Sequence, residues 1–463
     1  MENFTKAKNF YFSLGLDQNT VEKVLKYYSN TNNIDLIRSK INDCCTFFKI
    51  DLPTLLKMIN RAPALLGCDF FSDSPTSVKN KYKYYQALLH TDEKTIRKLM
   101  ITNPTLCLLD CIEENLTSVK GKIKIYQELL HTNEGTVTKL MIDYPAMLNL
   151  DAASDSPTSA KNKIKDYQTL LHTDEKTISK MIIAGPQLLG LDCRSENSTS
   201  VKSKIKNYQT LLHIDELSVT KMLTMCPELI GLDCFGDGPT SVKSKIKDYQ
   251  NLFKVDEQII TNMILSRPTL LHYDIISNSP KSVINKIRFY EETFRIDHET
   301  VIQLILKYPS VLAFDVVSDD FSSMKTKIQK ITTFIPIEKL RQIFINNPRI
   351  LQVPAQNFKI RYMLAENIGV MPKFLINGFM TNQTKVWARY CYLSRQKGVF
   401  NLDNVYVGEK IFSHRFGVDS TTLMQQYRLD KKALTEIENK YQKQTGIKLV
   451  LDKQECSVLG LEG

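Results

Sequence analysis

The residues with the most chemistry in them are lysines that come in threes. Lys79, Lys81 and Lys83 stand at i, i+2 and i+4, and the triplet returns as Lys120, Lys122 and Lys124, then as Lys161, Lys163 and Lys165. Lys202, Lys204 and Lys206 follow, and after them Lys243, Lys245 and Lys247. With Val78 as the apolar centre of a helix, Lys79 and Lys83 share one flank while Lys81 lies beside the core stripe. Stacking helices in phase turns the flank into a basic ridge, which Arg288 and Lys325 extend. Such a ridge is a track for a polyanion. Lysines so spaced also serve as the solvated face of an amphipathic helix, and the pattern alone leaves both meanings open. The set Lys40, Lys81, Lys122, Lys163, Lys204, Lys245, Lys286 and Lys327 is expected to lay its stems on apolar surface. Reading bases in a groove takes arginine or asparagine. Arg349, Arg361, Arg389 and Arg395 are the candidates for that role.

Other chemistry is harder to assemble. His90, His131, His172 and His213 lie 41 residues apart, too far apart in sequence for a local metal cluster, and are expected to cap the last-turn carbonyls of their helices. Asp69, Asp110, Asp151, Asp192, Asp233, Asp274 and Asp315 keep the same interval, which suits turns and caps better than paired catalytic carboxylates. The ten cysteines contain no CxxC pair, so a zinc site is not expected. Cys111, Cys193 and Cys234 share one position of the interval and read as small buried hydrophobes of a reducing compartment. No glycine-rich phosphate loop or nucleophile motif is present. The chain is read as a non-enzyme without metal or cofactor.

At 463 residues and 43% hydrophobic, the chain exceeds what one core organises and must be several domains or a repeat array. The formal charge of +11, with a pI near 8.9, favours polyanionic partners. No apolar run reaches the length of about 18 residues that a membrane span needs.

The elements that position the lysines follow from the prolines. Pro63, Pro104, Pro145, Pro186, Pro227, Pro268 and Pro309 are 41 residues apart, and Pro348 follows after 39. Ser77, Ser118, Ser159, Ser200, Ser241, Ser282 and Ser323 keep the beat. In one repeat, Ser156 is expected to N-cap a first helix with Pro157 at its first position. Ala160, Ile164, Tyr167, Leu170 and Leu171 then form its apolar stripe. Asp174 caps a second helix with Ile178, Met181 and Ile182 inward, and Pro186 stops it. Residues 186–191 suit a 3₁₀ turn that plugs Leu188 and Leu189 between helices. One such hairpin cannot bury enough surface alone, so the expected fold is an all-α solenoid of tandem helix–helix–3₁₀ repeats. Residues 1–35 read as a degenerate capping repeat around Phe12, Leu16, Val21, Val24 and Leu25, residues 36–357 as eight tandem repeats, and 358–463 as a divergent repeat and cap. Gly446–Gly463 reads as a short strand or a frayed tail. At one or two helix layers of about 10 Å per repeat, eight repeats make a path of roughly 80–160 Å.

The stretches MIDYPAMLNLD (141–151), MIIAGPQLLGLD (181–192), MLTMCPELIGLD (222–233), LILKYPSVLAFD (304–315) and IFINNPRILQVP (343–354) resemble the repeat of the mitochondrial transcription termination factor (mTERF) family. FYFSLGLDQNTVEKVL (10–25) resembles that family's repeat opening, and the resemblance covers about residues 10–398. It implies a left-handed superhelix that binds nucleic acid along a basic concave face, in transcription termination or organellar gene expression, with no catalytic residues. Duplex DNA is the favoured ligand, RNA or ribosome association the alternative, and a monomer the expected state. A protein-binding scaffold of the same fold is the rival. The amino terminus, with Glu2, Asp17 and no arginine before Arg38, does not read as a presequence. A soluble intracellular protein is expected, mitochondrial by resemblance and cytoplasmic, of bacterial or endosymbiont type, by the missing presequence.

Overall fold

A computed structural model describes residues 2–27, 34–111, 113–318, 323–349, 353, 355–369, 382–396 and 401–446. Every regular element among them is an α- or 3₁₀-helix. Two compact bodies, Met1–Gly236 and Asp237–Gly463, both contain the same repeat.

In that repeat a first helix, Ala160–Leu170, is followed by a second, Glu175–Ala184, and a 3₁₀ turn, Pro186–Gly190. Ala160, Ile164, Tyr167 and Leu171 are sealed from solvent, as are Ile178, Met181, Ile182, Leu188 and Leu189. Leu170 is half-buried. Asp174 caps the second helix by accepting from the Thr177 N–H at 2.7 Å. Pro186 occupies the first position of the 3₁₀ turn, where its missing N–H has no partner to lose.

The first helix begins three residues later than its sequence suggests. Ser159, not Ser156, is the N-cap, and Pro157 lies in the turn before it. The incoming loop is the cause. The Ala160 N–H donates to the Asp151 carbonyl at 2.8 Å and the Lys161 N–H to that of Ala152 at 3.2 Å. Ser156 is meanwhile engaged by the Thr158 N–H and hydroxyl. Ser77, Ser118, Ser200, Ser241 and Ser323 cap their helices in the same way. The Asp151 carboxylate closes the loop by accepting from the Ala153 and Ser154 N–H groups. Asp69, Asp192, Asp233 and Asp315 form the same turn.

The six first helices from Val78–Leu88 to Val283–Phe294 are each tied to their own 3₁₀ turn by two polar contacts. The Tyr167 hydroxyl donates to the Leu188 carbonyl at 3.0 Å. The Lys163 ammonium donates to Leu189 and Leu191 at 2.6 and 2.8 Å. Lys81 reaches Cys107, Lys122 reaches Leu148, Lys204 reaches Leu232, Lys245 reaches Leu271 and Lys286 reaches Leu312. These six lysines are at most 9% exposed, so stem packing is only half of their role. Burial works against the charge and lowers the pKa of Lys122, Lys163, Lys245 and Lys286. The carbonyls at the end of the turn compensate it.

In the first body, corresponding segments of successive repeats touch. Arg61 donates to the Thr102 carbonyl at 2.9 Å, and Asn103 donates to that of Pro145 at 3.2 Å. The advance per repeat there is therefore one helix layer, about 10 Å. At the amino terminus Leu16, Val21, Val24 and Leu25 are buried, whereas Phe12 is 38% exposed and does not belong to the core. Beyond residue 353 the 41-residue beat gives way to helices Ala355–Ile368, Gln383–Arg395, Glu409–Phe416, Ser420–Gln426 and Lys431–Thr445. Gly446 ends the last of these in the left-handed region, and the segment 447–463, read as strand or tail, lies outside the described residues.

Lys163→Ala removes the donor from two buried carbonyls, and a loss of about 1–3 kcal/mol of unfolding free energy is expected in urea titration. Lys163→Met should restore only the packing of the stem. Wild-type stability of the alanine variant would contradict the capping role.

Candidate nucleic-acid interface

In the first body the flank lysines are surface groups standing in phase on consecutive first helices, but five of the eight carry an internal counter-ion. Lys79 pairs with Asp73 at 2.9 Å, Lys120 with Glu114 at 2.8 Å and Lys161 with Asp155 at 3.3 Å. Lys124 shares Glu114, and Lys202 pairs with Glu196. The acid stands six residues before the first lysine of each flank, in the loop that leads into the helix. Lys79 holds the Asp73 carboxyl below its ordinary range, and Lys202 does the same for Glu196. Asp73 and Asp155 are more than 90% exposed, and pairs of that kind are weak and screened by salt. Lys83, Lys165 and Lys206 are exposed one turn further on. Lys202 and Lys206 wall a cleft of about 540 Å³ between two first helices, floored by Leu170 and Ile205 and edged by Glu196 and Glu216.

In the second body Lys243, Lys247, Arg288 and Lys325 are exposed at the corresponding positions, with Arg288 bonded to Asn285 at 3.0 Å. The four arginines proposed for base reading divide. Arg349 is exposed with its guanidinium 5.3 Å from the Tyr308 ring centre, and Arg395 is exposed with its own 4.8 Å from that of Tyr427. Arg361 is half-buried against Gln383, and burial lowers its pKa. Arg389 cannot meet a ligand. It is 1% exposed, donating to Ser420, Glu409 and the carbonyls of Val405 and Val407. It stacks at 4.1 Å on Phe412. An arginine on a helix looks alike in sequence whether it faces water or a neighbouring helix hairpin, and here the hairpin of Glu409–Phe416 and Ser420–Gln426 encloses it.

The histidines also take another role. His90, His131, His172 and His213 have φ of 46–50°, the left-handed conformation that ends a helix through its backbone. Lys49, Lys254 and Arg295 adopt it at the same position, so no imidazole is needed for the turn. The rings of His90, His131 and His172 do not cap their own helices. They lie 3.4, 3.3 and 3.3 Å from Glu134, Glu175 and Glu216 of the following repeat. Among the described residues no three His, Cys, Asp or Glu side chains could hold a metal ion, and no helix is long and apolar enough to cross a membrane. Cys111, Cys193 and Cys234 are buried at the position filled by Phe70 and Ala152 in other repeats.

A second in-phase set escaped the sequence reading: Lys57, Lys98, Lys139, Lys180 and Lys221, all exposed on second helices. Their 41-residue interval was the available signal, masked by the denser triplets of the first helices. A family model described as mTERF matches residues 49–234 and 234–372, more than half of the chain. No curated protein matches the sequence.

Arg389→Ala should cost about 2–3 kcal/mol by leaving two buried carbonyls and Glu409 without their donor, whereas Arg395→Ala should leave the thermal midpoint nearly unchanged. Partial burial opposes the charge of Glu409, but the Ser420 N–H, Lys385, the Ser420 hydroxyl and Arg389 bring its pKa down to about 2. Its stabilising contribution is therefore present above the ordinary glutamate range and lost as the pH falls towards 2. Glu409→Gln should flatten that acid limb, and an unchanged acid limb would contradict the assignment.

Proposed function

The chain belongs to the mTERF family, and from that premise we propose that it is a nucleic-acid-binding helical-repeat protein, with duplex DNA as its first ligand, acting as a monomer in transcription termination or the regulation of gene expression. It performs no catalysis. The observation that carries this reading is the lysine flank of the first helices, Lys79, Lys83, Lys120, Lys124, Lys161, Lys165, Lys202 and Lys206, on repeats whose corresponding segments are in hydrogen-bond contact. Lys243, Lys247, Arg288 and Lys325 serve the second body in the same way. Exposed cations at about 10 Å intervals meet a phosphate backbone roughly every three base pairs. Contacts of this kind hold and orient the ligand without reading its sequence. Arg349 and Arg395 are the candidates left in the open for base edges, with Arg361 a lesser one.

Gel-shift titration against duplex DNA, duplex RNA and single strands at several salt concentrations tests the reading. Six to eight phosphate contacts give a log–log salt slope of about −5 to −7. Reversal of Lys161, Lys165, Lys202 and Lys206 to Glu, with the helical circular dichroism intact, is expected to abolish binding. If the variant binds as the wild type does, the first-helix flank is not the interface. If RNA alone is retained, the ligand is RNA.

A further inference from the structure

The first-helix flank is partly neutralised from within, and the second helices carry a basic row of another kind. Lys57, Lys98, Lys139, Lys180 and Lys221 stand at one position of five consecutive second helices, Leu52–Arg61, Glu93–Thr102, Glu134–Asp143, Glu175–Ala184 and Glu216–Met225. All five are exposed and all lie in the first body. The described ion pairs of that body engage Lys79, Lys120, Lys124, Lys161, Lys202, Arg97 and Arg194, and none of these five.

The acids that could have quenched them are occupied. Asp51 and Asp174, six residues upstream of Lys57 and Lys180, hydrogen-bond the Thr54 and Thr177 N–H groups as caps and meet these lysines only as charges at a distance. Glu93 takes Arg97 of its own helix. Glu134, Glu175 and Glu216 lean towards the imidazoles of the preceding repeat. Asp143, exposed one turn beyond Lys139, is the acid left on this face of its helix. In the second body Asn262 and Gln303 stand at the same position, so the row ends with the first body.

Spacing points to the partner. Arg61, one turn beyond Lys57, donates to the carbonyl of Thr102, one turn beyond Lys98. Successive lysines are therefore about one helix layer, roughly 10 Å, apart. Five of them span about 40 Å, some twelve base pairs of one phosphate backbone. A line of single ammonium groups without direct ion pairs, at regular distance, suits a regular polyanion; Leu217 and Met225, exposed one turn either side of Lys221, are the apolar groups beside it.

We propose that these five second-helix lysines form a second phosphate-binding row, distinct from the first-helix flank, through which the first body grips a nucleic-acid backbone. The proposal rests on the nucleic-acid reading above. The experiment uses the full chain and a 20-base-pair DNA duplex of arbitrary sequence. Affinity is measured between low and moderate salt for the wild type, for Lys98→Gln/Lys139→Gln/Lys180→Gln, and for Lys161→Gln/Lys165→Gln/Lys202→Gln/Lys206→Gln. The second-helix variant is expected to lose about 2.7 from the magnitude of the salt slope, about 0.9 per lysine, and to bind more than about tenfold weaker at 0.1 M salt. Wild-type affinity and slope in that variant, with loss in the first-helix variant alone, overturn the second row and leave the nucleic-acid reading standing. Weakened affinity at an unchanged slope also overturns it, because the lysines would then act through structure and not through phosphate. A wild type with no salt-dependent duplex binding removes the nucleic-acid reading and this row together.

Discussion

Within six of the repeats the structure depends on a buried ammonium. A lysine in the middle of the first helix crosses the apolar interior and donates to the carbonyls that end the 3₁₀ turn some 26 to 28 residues later, as Lys163 does with Leu189 and Leu191. The tyrosine one turn further along, Tyr167, donates to the Leu188 carbonyl just before them. A turn of five residues beginning with proline has few internal hydrogen bonds: the Leu188 carbonyl also accepts from the Leu191 N–H, but those of Leu189 and Leu191 depend on the ammonium. The two contacts fasten the turn across the hairpin, which places Leu188 and Leu189 between the helices. The charge is tolerated because its donors are used and its stem is covered.

That device sorts the lysines of the triplet. The middle one is consumed by the fold, and the outer two are left at the surface in a fixed orientation. The buried Ser N-cap and the Asp turn set where the first helix starts, and so decide which flank the outer lysines occupy. The loop that carries this capping machinery also carries the acid that pairs with the first outer lysine. Stability and charge presentation are thus linked through one short segment.

The surface chemistry of the second helices follows from a different arrangement. Their N-terminal glutamates satisfy the helix dipole and are engaged at the same time by groups outside the exposed face, chiefly the left-handed histidines of the preceding repeat. Lysines one turn further along then form no direct ion pair among the described residues, although Asp143 stands one turn beyond Lys139. The exposed His–Glu pairs add little to stability, and their consequence lies in where they leave the glutamate charge.

Much was legible in the chain itself. The proline ladder, the amphipathic stripes of Ala160, Ile164 and Tyr167, and the Asp174 cap follow from spacing and local propensity, and the structure realises them because each is decided within a few residues. The separation of Lys79 and Lys83 from Lys81 was likewise readable from helical periodicity. Tertiary structure alone decided what depends on partners far along the chain. The Asp151 carbonyl moved the cap from Ser156 to Ser159, and the next repeat drew the histidine rings away from their own helices. The hairpin of Glu409–Phe416 and Ser420–Gln426 buried Arg389, while Arg395 on the same helix stayed in water. Periodicity tells which residues share a face, but only packing tells what that face meets, because the energy of a charged group is set by the atoms around it and not by its place in the sequence.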